Sequence, residues 1–417
     1  MYKTATIVIK NTNPLFAVID DYAFLCKNLK NSAIYAYRQF FFKENKTLNK
    51  YKLIKEFTQD KQADYVAIPR KVSQQIIFQV AQEFQSFWGL VKLGVKDKSK
   101  PRPNIPRYLD KQKGRANIIF TKQAISKKDL PKGVLTLSPF DKTRPISIHL
   151  GKLNQIIDYN NIQEVKIVKV ANGYDVKICY KTQDIKTDTS VNPTRVLSID
   201  FGVNNLMTVG NNVNLTPLII KGQAQKSFNQ YFNKKLAKLK SRLDTAKDFL
   251  KPSIRKKLDR LYQKRKHKVN DFLHKASHYL INHAVENHID TIVIGYNKGW
   301  KQEIKIGKVN NQKFVNIPFA MLLNMITYKA KEKGIQVIIT NENYTSKCSF
   351  LDDEPIQKQS TYKGKRIKRG LFKSSNGRLI NADVNGAMNI LKKVIGNFNY
   401  NPIQVCSTPK MINVLKP

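Results

Sequence analysis

Acidic side chains are scarce in this sequence. Its 417 residues hold 30 Asp and Glu against 74 Lys and Arg, a formal net charge of +44 at neutral pH, with the basic excess spread over the whole length. That balance is not the balance of an ordinary cytosolic enzyme. Cysteine is sparse too: Cys26, Cys179, Cys348 and Cys406 lie far apart with no CxxC pair. Neither a disulfide framework nor a closed thiolate zinc site is therefore written locally, and a reducing compartment is expected. No apolar run approaches the roughly 18 residues of a membrane span. The opening MYKTATIVIKNTNP has neither a charged n-region nor a following apolar h-region, so a soluble, non-secreted, cytoplasmic chain is expected. Hydrophobic residues make up 41 % of the chain and aromatics 10 %. That is enough for real cores and excludes a disordered basic tail; at about 150 residues per domain the length suggests two or three domains.

A cationic excess of this size repels itself unless a polyanion neutralises it, and the usual polyanion is nucleic acid, because each Lys or Arg that meets a phosphate releases a counterion. A membrane surface is the rival partner. Interfacial proteins gather their charge on one amphipathic helix or patch, whereas here Lys and Arg occur in every segment. The distribution favours nucleic acid and no membrane.

Along the chain, Thr4 to Lys10 alternates as a short strand, and Asp20 to Leu93 turns helical, with a stripe of Ile76, Ile77, Val80, Phe84 and Phe87. The aromatics Tyr35, Tyr37 and Phe40 to Phe42 read as core rather than as base-stacking platforms. The Pro-rich basic stretch Lys96 to Arg107 reads as a linker. Short strands follow at 116–120, 134–137 and 146–150, then a hairpin over 165–179 turned at Asn172-Gly173, a dipeptide suited to a type I′ turn. This predicts a small β-barrel or sandwich with helices inserted after its first strand.

Beyond a polar spacer at 184–194 the pattern becomes α/β. Strands at 196–201, 206–209 and 217–220 give an antiparallel start; two long helices, about 226–250 and 253–287, meet at Lys251-Pro252. Residues 221–270 hold 17 Lys/Arg and three Asp. Phe228, Phe232, Leu236, Leu239, Leu243, Ala246 and Leu250 keep a three-four spacing, so one side packs and the cationic side is expected to meet phosphate. A strand at 291–295, a helix at 318–333, a strand at 335–341 and a final helix from near Asp383 complete the pattern. His267, His274, His278, His283 and His288 fall on the second basic helix. His274 and His278 are four apart, but with no zincin acid between them they read as ordinary helix residues.

Cleaving a polyanion needs phosphodiester oxygens held and water activated, and two divalent cations about 4 Å apart, held by carboxylates, do both. With only 30 acids, those set among apolar strand or helix residues are informative. Asp200 ends the strand VLSID before Phe201-Gly202 and would be costly to bury alone, which makes a metal a reasonable partner. Asp383, in NADVNGAMNIL, opens an amphipathic helix and is open to a reading as a helix N-cap or first-turn acid.

The pair SIDFGVNNL and NADVNGAMNIL, with YNKGWKQE and ENYTSKCSFLDDEPI between them in that order, resembles the TnpB family, transposon-encoded RNA-guided nucleases with a RuvC-like RNase H domain, related to the type V CRISPR effectors. The resemblance is close over about 190–395 and looser over the first half, through YLDKQKGRANIIFTKQAI. It implies an α+β multidomain protein. A wedge β-barrel over 1–19 and 104–190 would carry a helical recognition lobe at 20–103. A RuvC-like nuclease domain with a basic helical hairpin would follow at 191–395, with a basic insert at 343–382, and then a tail at 396–417. It further implies a guide RNA from the transposon end, a double-stranded DNA target with an adjacent motif, cleavage by a two-metal mechanism using Mg²⁺ or Mn²⁺, and a prokaryotic, nucleoid-associated chain acting as a monomer on its RNA. Sequence would be read by base pairing.

The family's two aspartates fall on Asp200 and Asp383. Its glutamate usually ends the strand that here reads IVIGYNKGW, where Gly295 stands instead. Adjacent strands lie about 4.8 Å apart, so Glu342, at the end of the next strand, is expected to reach the same metal pair, ahead of Glu303. Relatives often carry a zinc ribbon of two CxxC pairs between the last two motifs; only Cys348 lies there, and no structural zinc is expected. Residues 358–378 instead hold eight Lys/Arg and no acid. Arg366, Arg369 and Arg378 are candidates to clamp a substrate strand, and Lys347 to stabilise phosphate charge. The rival readings are an RNA-guided DNA-binding protein or repressor without cleavage, with Gly295 marking a lost site, and a transposase that joins DNA ends. The latter lacks a His-hydrophobe-His pair with a downstream Tyr.

Overall fold

The computed structural model describes residues 1–96, 103–183, 192–297 and 317–415, and the chain forms two compact units, residues 1–183 and 184–417. In the first, β1 (Tyr2–Lys10) alternates outward and inward side chains and pairs antiparallel along its whole length with β6 (Gly173–Lys181). Four helices follow β1: α1 (Leu15–Glu44), α2 (Lys50–Gln59), α3 (Ala63–Val66) and α4 (Arg70–Lys96). Asn49 caps α2, its side chain accepting the Tyr51 and Lys52 amides, which satisfies two of the donors a helix start leaves free. Val72, Ile76, Ile77, Val80 and Phe84 form the buried stripe of α4, and Phe84 stacks on Tyr37 of α1 at 4.9 Å.

After the helices come β2 (Ile118–Thr121), β3 (Val134–Leu137), β4 (Ile146–His149) and β5 (Ile162–Val170). The four-stranded sheet runs β1-β6-β5-β2, and β3 and β4 form a separate two-stranded ribbon. The helices are thus inserted after the first strand, as the pattern predicted. The hairpin differs in one detail: Val170 pairs with Gly173, so Ala171 and Asn172 make the turn. Neither has the positive φ that a type I′ turn requires at both central positions.

The second unit is built on a six-stranded sheet. Its strands are β7 (Val196–Phe201), β8 (Asn205–Asn211), β9 (Leu218–Lys221), β10 (Thr291–Gly295), β11 (Gln336–Thr340) and β15 (Lys410–Ile412), in the order β11-β10-β7-β8-β9-β15. β7, β8 and β9 form an antiparallel meander; β10 and β11 run parallel to β7, and β15 runs parallel to β9. Between β9 and β10 stand α5 (Gln223–Thr245) and α6 (Lys251–Glu286), with Pro252 at the start of α6, where its missing amide costs no hydrogen bond. The carboxy-terminal half of α6 is the buried half, through Phe272, Leu273, Ala276, Leu280 and Ile281, with α7 (Phe319–Lys331) on the same core. Among the histidines, His288 lies past the end of α6 with φ 51°, not on the helix. Nothing in the sequence pattern announced the three strands of the basic insert, β12 (Lys365–Lys368), β13 (Leu371–Lys373) and β14 (Leu379–Asn381). After α8 (Ala382–Ile395), the stretch read as a tail adds α9 (Pro402–Cys406) and β15. Among the described residues no helix is long and apolar enough to cross a membrane.

Candidate active site

The period of two along β7 decides where Asp200 points. Leu197, Ile199 and Phe201 join the core formed with α6 and α7, while Val196 joins the core formed with α8. Ser198 and Asp200 share the α8 side: Ser198 Oγ donates to the Ala387 carbonyl at 2.6 Å, and a Cβ on Gly386 would stand 2.8 Å from Asp200 Oδ2. Gly386 is a glycine because the carboxylate occupies that space. Asp383 lies three residues earlier on α8, on the same helix face, which brings it to Asp200. It is a first-turn acid and not the cap. Asn381 is the cap, accepting the Asp383 and Val384 amides, and frees the Asp383 carboxylate to turn toward the cavity.

Gly295 at the end of β10 pairs with Thr340 on β11, and Glu342 follows two residues later. A Cβ at position 295 would meet Ile390 Cδ1 at 2.5 Å and Glu342 Cβ at 3.4 Å. A side chain at position 295 therefore requires Ile390 to give way, and among the described residues the acid beside this position is Glu342, just past the neighbouring strand. Asn297 fastens Glu342: its Oδ1 accepts the Glu342 amide at 3.2 Å and its Nδ2 faces Glu342 Oε1 at 3.5 Å. Glu303, the other candidate, lies outside the described residues.

Burial pushes the Asp200 carboxyl well above the usual carboxylate range, and the negative charges of Glu342 and Asp383 push it further, against the opposing pull of Arg366. Asp200 keeps some surface open to the cavity, yet its carboxyl group is enclosed by protein, and the enclosure dominates its titration. Burial likewise pushes Glu342 up to about 7. Among the described residues no hydrogen-bond donor reaches the Asp200 carboxylate. A carboxylate enclosed without a donor and beside two others calls for a cation, and carboxylate oxygens are the donor set that hard divalent ions take. Among the described residues no group of three Asp, Glu, His or Cys closes on one ion.

Asp383 is held on both oxygens: Asn205 Nδ2 donates to Oδ2 at 2.6 Å, and an Arg366 amine lies 3.4 Å from Oδ1. Asp200, Asn205, Arg366, Arg369 and Asp383 line one cavity of about 380 Å³. Of the basic candidates, Arg366 and Arg369 reach it. Arg378 does not line it; its charge bears on Cys406 and Tyr400 instead. Lys347 also stands off, its ammonium 5.9 Å over the Tyr362 ring. Asn205 was missed by the sequence reading, although it stands in the quoted GVNN four residues after Phe201.

The basic insert is closed on itself by one buried carboxylate and tied to α8 by side-chain amides of that helix. Glu354, 2 % exposed, accepts the Ser349 amide at 2.7 Å and the Lys363 amide at 3.0 Å. Asn385 accepts the Phe350 amide and donates to the Cys348 carbonyl, and Asn389 donates to the Thr345 and Cys348 carbonyls. The buried Cys348 thiol donates to the Pro355 carbonyl at 3.4 Å.

Two family models match the chain, almost wholly within the second unit. One, described as "Probable transposase" (OrfB_IS605), matches residues 177–301; the other, "Cas12f1-like, TNB domain", matches 319–390. The chain is 30 % identical over 207 residues to the TnpB-like protein ORF457 of Acidianus two-tailed virus, covering 48 % of this chain and 42 % of that protein. It is 23 % identical over 241 residues to the CRISPR-associated endodeoxyribonuclease Cas12f1 of Syntrophomonas palmitatica, covering 55 % and 47 %. The chain thus spans less than half the length of these curated relatives. A solved Cas12f1-sgRNA-target DNA complex superposes with a TM-score of 0.54 at 16 % identity over 90 % of this chain and 82 % of that one, a likeness of fold. Both family models fall almost wholly on the unit that carries the carboxylates, so that unit is similar in sequence to TnpB-like and Cas12f1 proteins, and the chain has a mixed α/β multidomain fold like that of Cas12f1.

Proposed function

We propose that this chain is an RNA-guided DNA endonuclease of an insertion sequence, hydrolysing phosphodiester bonds of guide-complementary DNA. One observation carries the reading: Asp200 at the end of β7 is enclosed without a donor, and the charges of Glu342 after β11 and Asp383 in the first turn of α8 both bear on it. The sheet order, a meander flanked by two parallel strands, supports an RNase H-like assignment of the RuvC kind. The relatives' names supply the rest: an endodeoxyribonuclease, and a complex with single-guide RNA and target DNA. We assign the four-stranded sheet to a wedge barrel and α1 to α4 to its recognition lobe. The RNA would come from the transposon end, and one chain would act on it in a prokaryotic cytoplasm.

Asp200, Glu342 and Asp383 would hold the Mg²⁺ ions that such hydrolysis uses. The ions, when bound, supply an activated water and neutralise the charge on the scissile phosphate. Arg366, already on Asp383, and Arg369 hold a phosphate in the cavity, and Asn205 fixes Asp383 in the rotamer that faces Asp200. The insert needs no zinc, since Glu354 and the α8 asparagines bind its backbone; one tightly held zinc in a metal analysis would contradict this.

The test is a plasmid-cleavage assay with the RNA that copurifies when the flanking DNA is supplied. Asp200→Asn, Glu342→Gln and Asp383→Asn are each expected to abolish Mg²⁺-dependent cutting while retaining RNA. Full cutting by Glu342→Gln refutes the assignment of that residue. Target binding without any cutting by the natural chain establishes instead the repressor reading that Gly295 raises.

A further inference from the structure

The first unit holds a cavity of about 540 Å³ where the end of α1, the start of α2 and the middle of α4 meet. That volume lies within the range of pockets that enclose a small molecule. Two of its lining residues carry buried donors with no protein partner among the described residues: the hydroxyl of Tyr37, a residue 1 % exposed, and the indole Nε1 of Trp88. Buried donors are almost always paired, so two orphans on one cavity ask for a group that accepts. The ring of Tyr37 does pack in the core against Phe84, as expected of it; only its hydroxyl is left over.

The rest of the lining says what kind of acceptor. Tyr51 is 64 % exposed, a flat apolar face offered to solvent at the mouth. Lys50 lies 5.2 Å over that ring and 4.7 Å from Phe78, and Lys46 and Lys92 also line the cavity. Gln82 and Gln85 add amides from α4. Water could pair with the two donors, yet it has no use for an exposed aromatic face or for three ammonium groups. A nucleotide uses all of these: its base stacks on an aromatic and accepts from O–H and N–H donors, and its phosphate meets lysine.

We propose that this cavity receives one unstacked nucleotide of the bound nucleic acid, with its base against Tyr51 and Trp88, base acceptors on Tyr37 and Trp88, and phosphate toward Lys46, Lys50 and Lys92. The proposal rests on the nucleic-acid reading above and adds a place in the helical region where a single base is taken out of its stack. RNA and DNA both present this chemistry, and the experiment separates them.

The chain has two tryptophans, so Trp300→Phe leaves Trp88 as the sole indole reporter. Nucleic-acid-free protein is titrated with single-stranded oligomers of about ten nucleotides, each of one base, as RNA and as DNA, followed by Trp88 emission and by gel retardation. Quenching by about half is expected, with a midpoint weakened roughly tenfold in Tyr37→Phe and in Gln82→Ala while retardation changes little. Quenching by RNA alone assigns the nucleotide to the guide, and by DNA alone to the target. Retardation without quenching overturns the pocket and leaves nucleic-acid binding standing. Absence of both overturns the pocket together with the reading it rests on. Quenching that Tyr37→Phe and Gln82→Ala leave unmoved also overturns it.

Discussion

Asn205 does at the scale of a single residue what the two aspartates cannot do alone. Two like charges on facing elements drift apart unless something holds them, and its amide grips Asp383 at 2.6 Å from the strand next to Asp200. Asn205→Ala is expected to lower cleavage about 10- to 100-fold and to raise the Mg²⁺ concentration at half activity, with RNA binding unchanged. Equal losses of cleavage at every Mg²⁺ concentration would count against a positioning role. Gly295 gives a stability test. Gly295→Ala sets a methyl 2.5 Å from Ile390 Cδ1 and is expected to cost about 1–3 kcal/mol in chemical denaturation, partly recovered by adding Ile390→Val. No loss in the single variant would mean that the crowding does not explain the glycine. The aspartates were legible because each stands among apolar residues in a chain poor in acids. Asn205 was not, because an asparagine beside a turn looks the same whether it serves the turn or a neighbour 178 residues away.

At the scale of elements, buried apolar periods were readable, even in four-residue strands such as β3, and exposed or three-residue strands were not. β7 and β10 have the bounds their β-branched runs predict, since both are buried on two faces. β12 is exposed along its length and β15 has three residues, so neither carries a hydrophobic period for pattern reading to find. Their positions come from tertiary pairing. The insert illustrates this: it has no paired cysteines, and it folds on a carboxylate and amides. Glu354→Ala removes the acceptor from one buried and one part-buried amide and is expected to destabilise the second unit by about 2–4 kcal/mol. Glu354→Gln, which keeps one acceptor oxygen, should lose less. Urea denaturation that separates neither variant from the natural chain would argue against this anchor.

Over the whole molecule, the elevated carboxyls link stability to pH and to metal. Glu342 titrates near 7 when folded and near 4.5 when not, and Asp200 moves in the same direction. Between these values the folded chain holds more protons than the unfolded one, so stability falls as pH rises from about 4.5 to 7, by up to about 3 kcal/mol for Glu342. Thermal melts in chelator at pH 5, 6 and 7.5 should show that decline, Glu342→Gln should flatten it, and Mg²⁺ should restore the high-pH melts by binding the ionised form. An identical slope in Glu342→Gln would sink the linkage.

The carboxylates also lie far apart along the chain. Asp200 closes the first strand of its sheet, while Asp383 and the strand that borders β9 come after the basic hairpin and the insert. During synthesis, a ribosome paused anywhere before α8 displays a cationic polypeptide able to attract nucleic acid but without its third acid. On the proposed reading, the charge that would hold the polymer is therefore present on the nascent chain before the last of the carboxylates that would cut it.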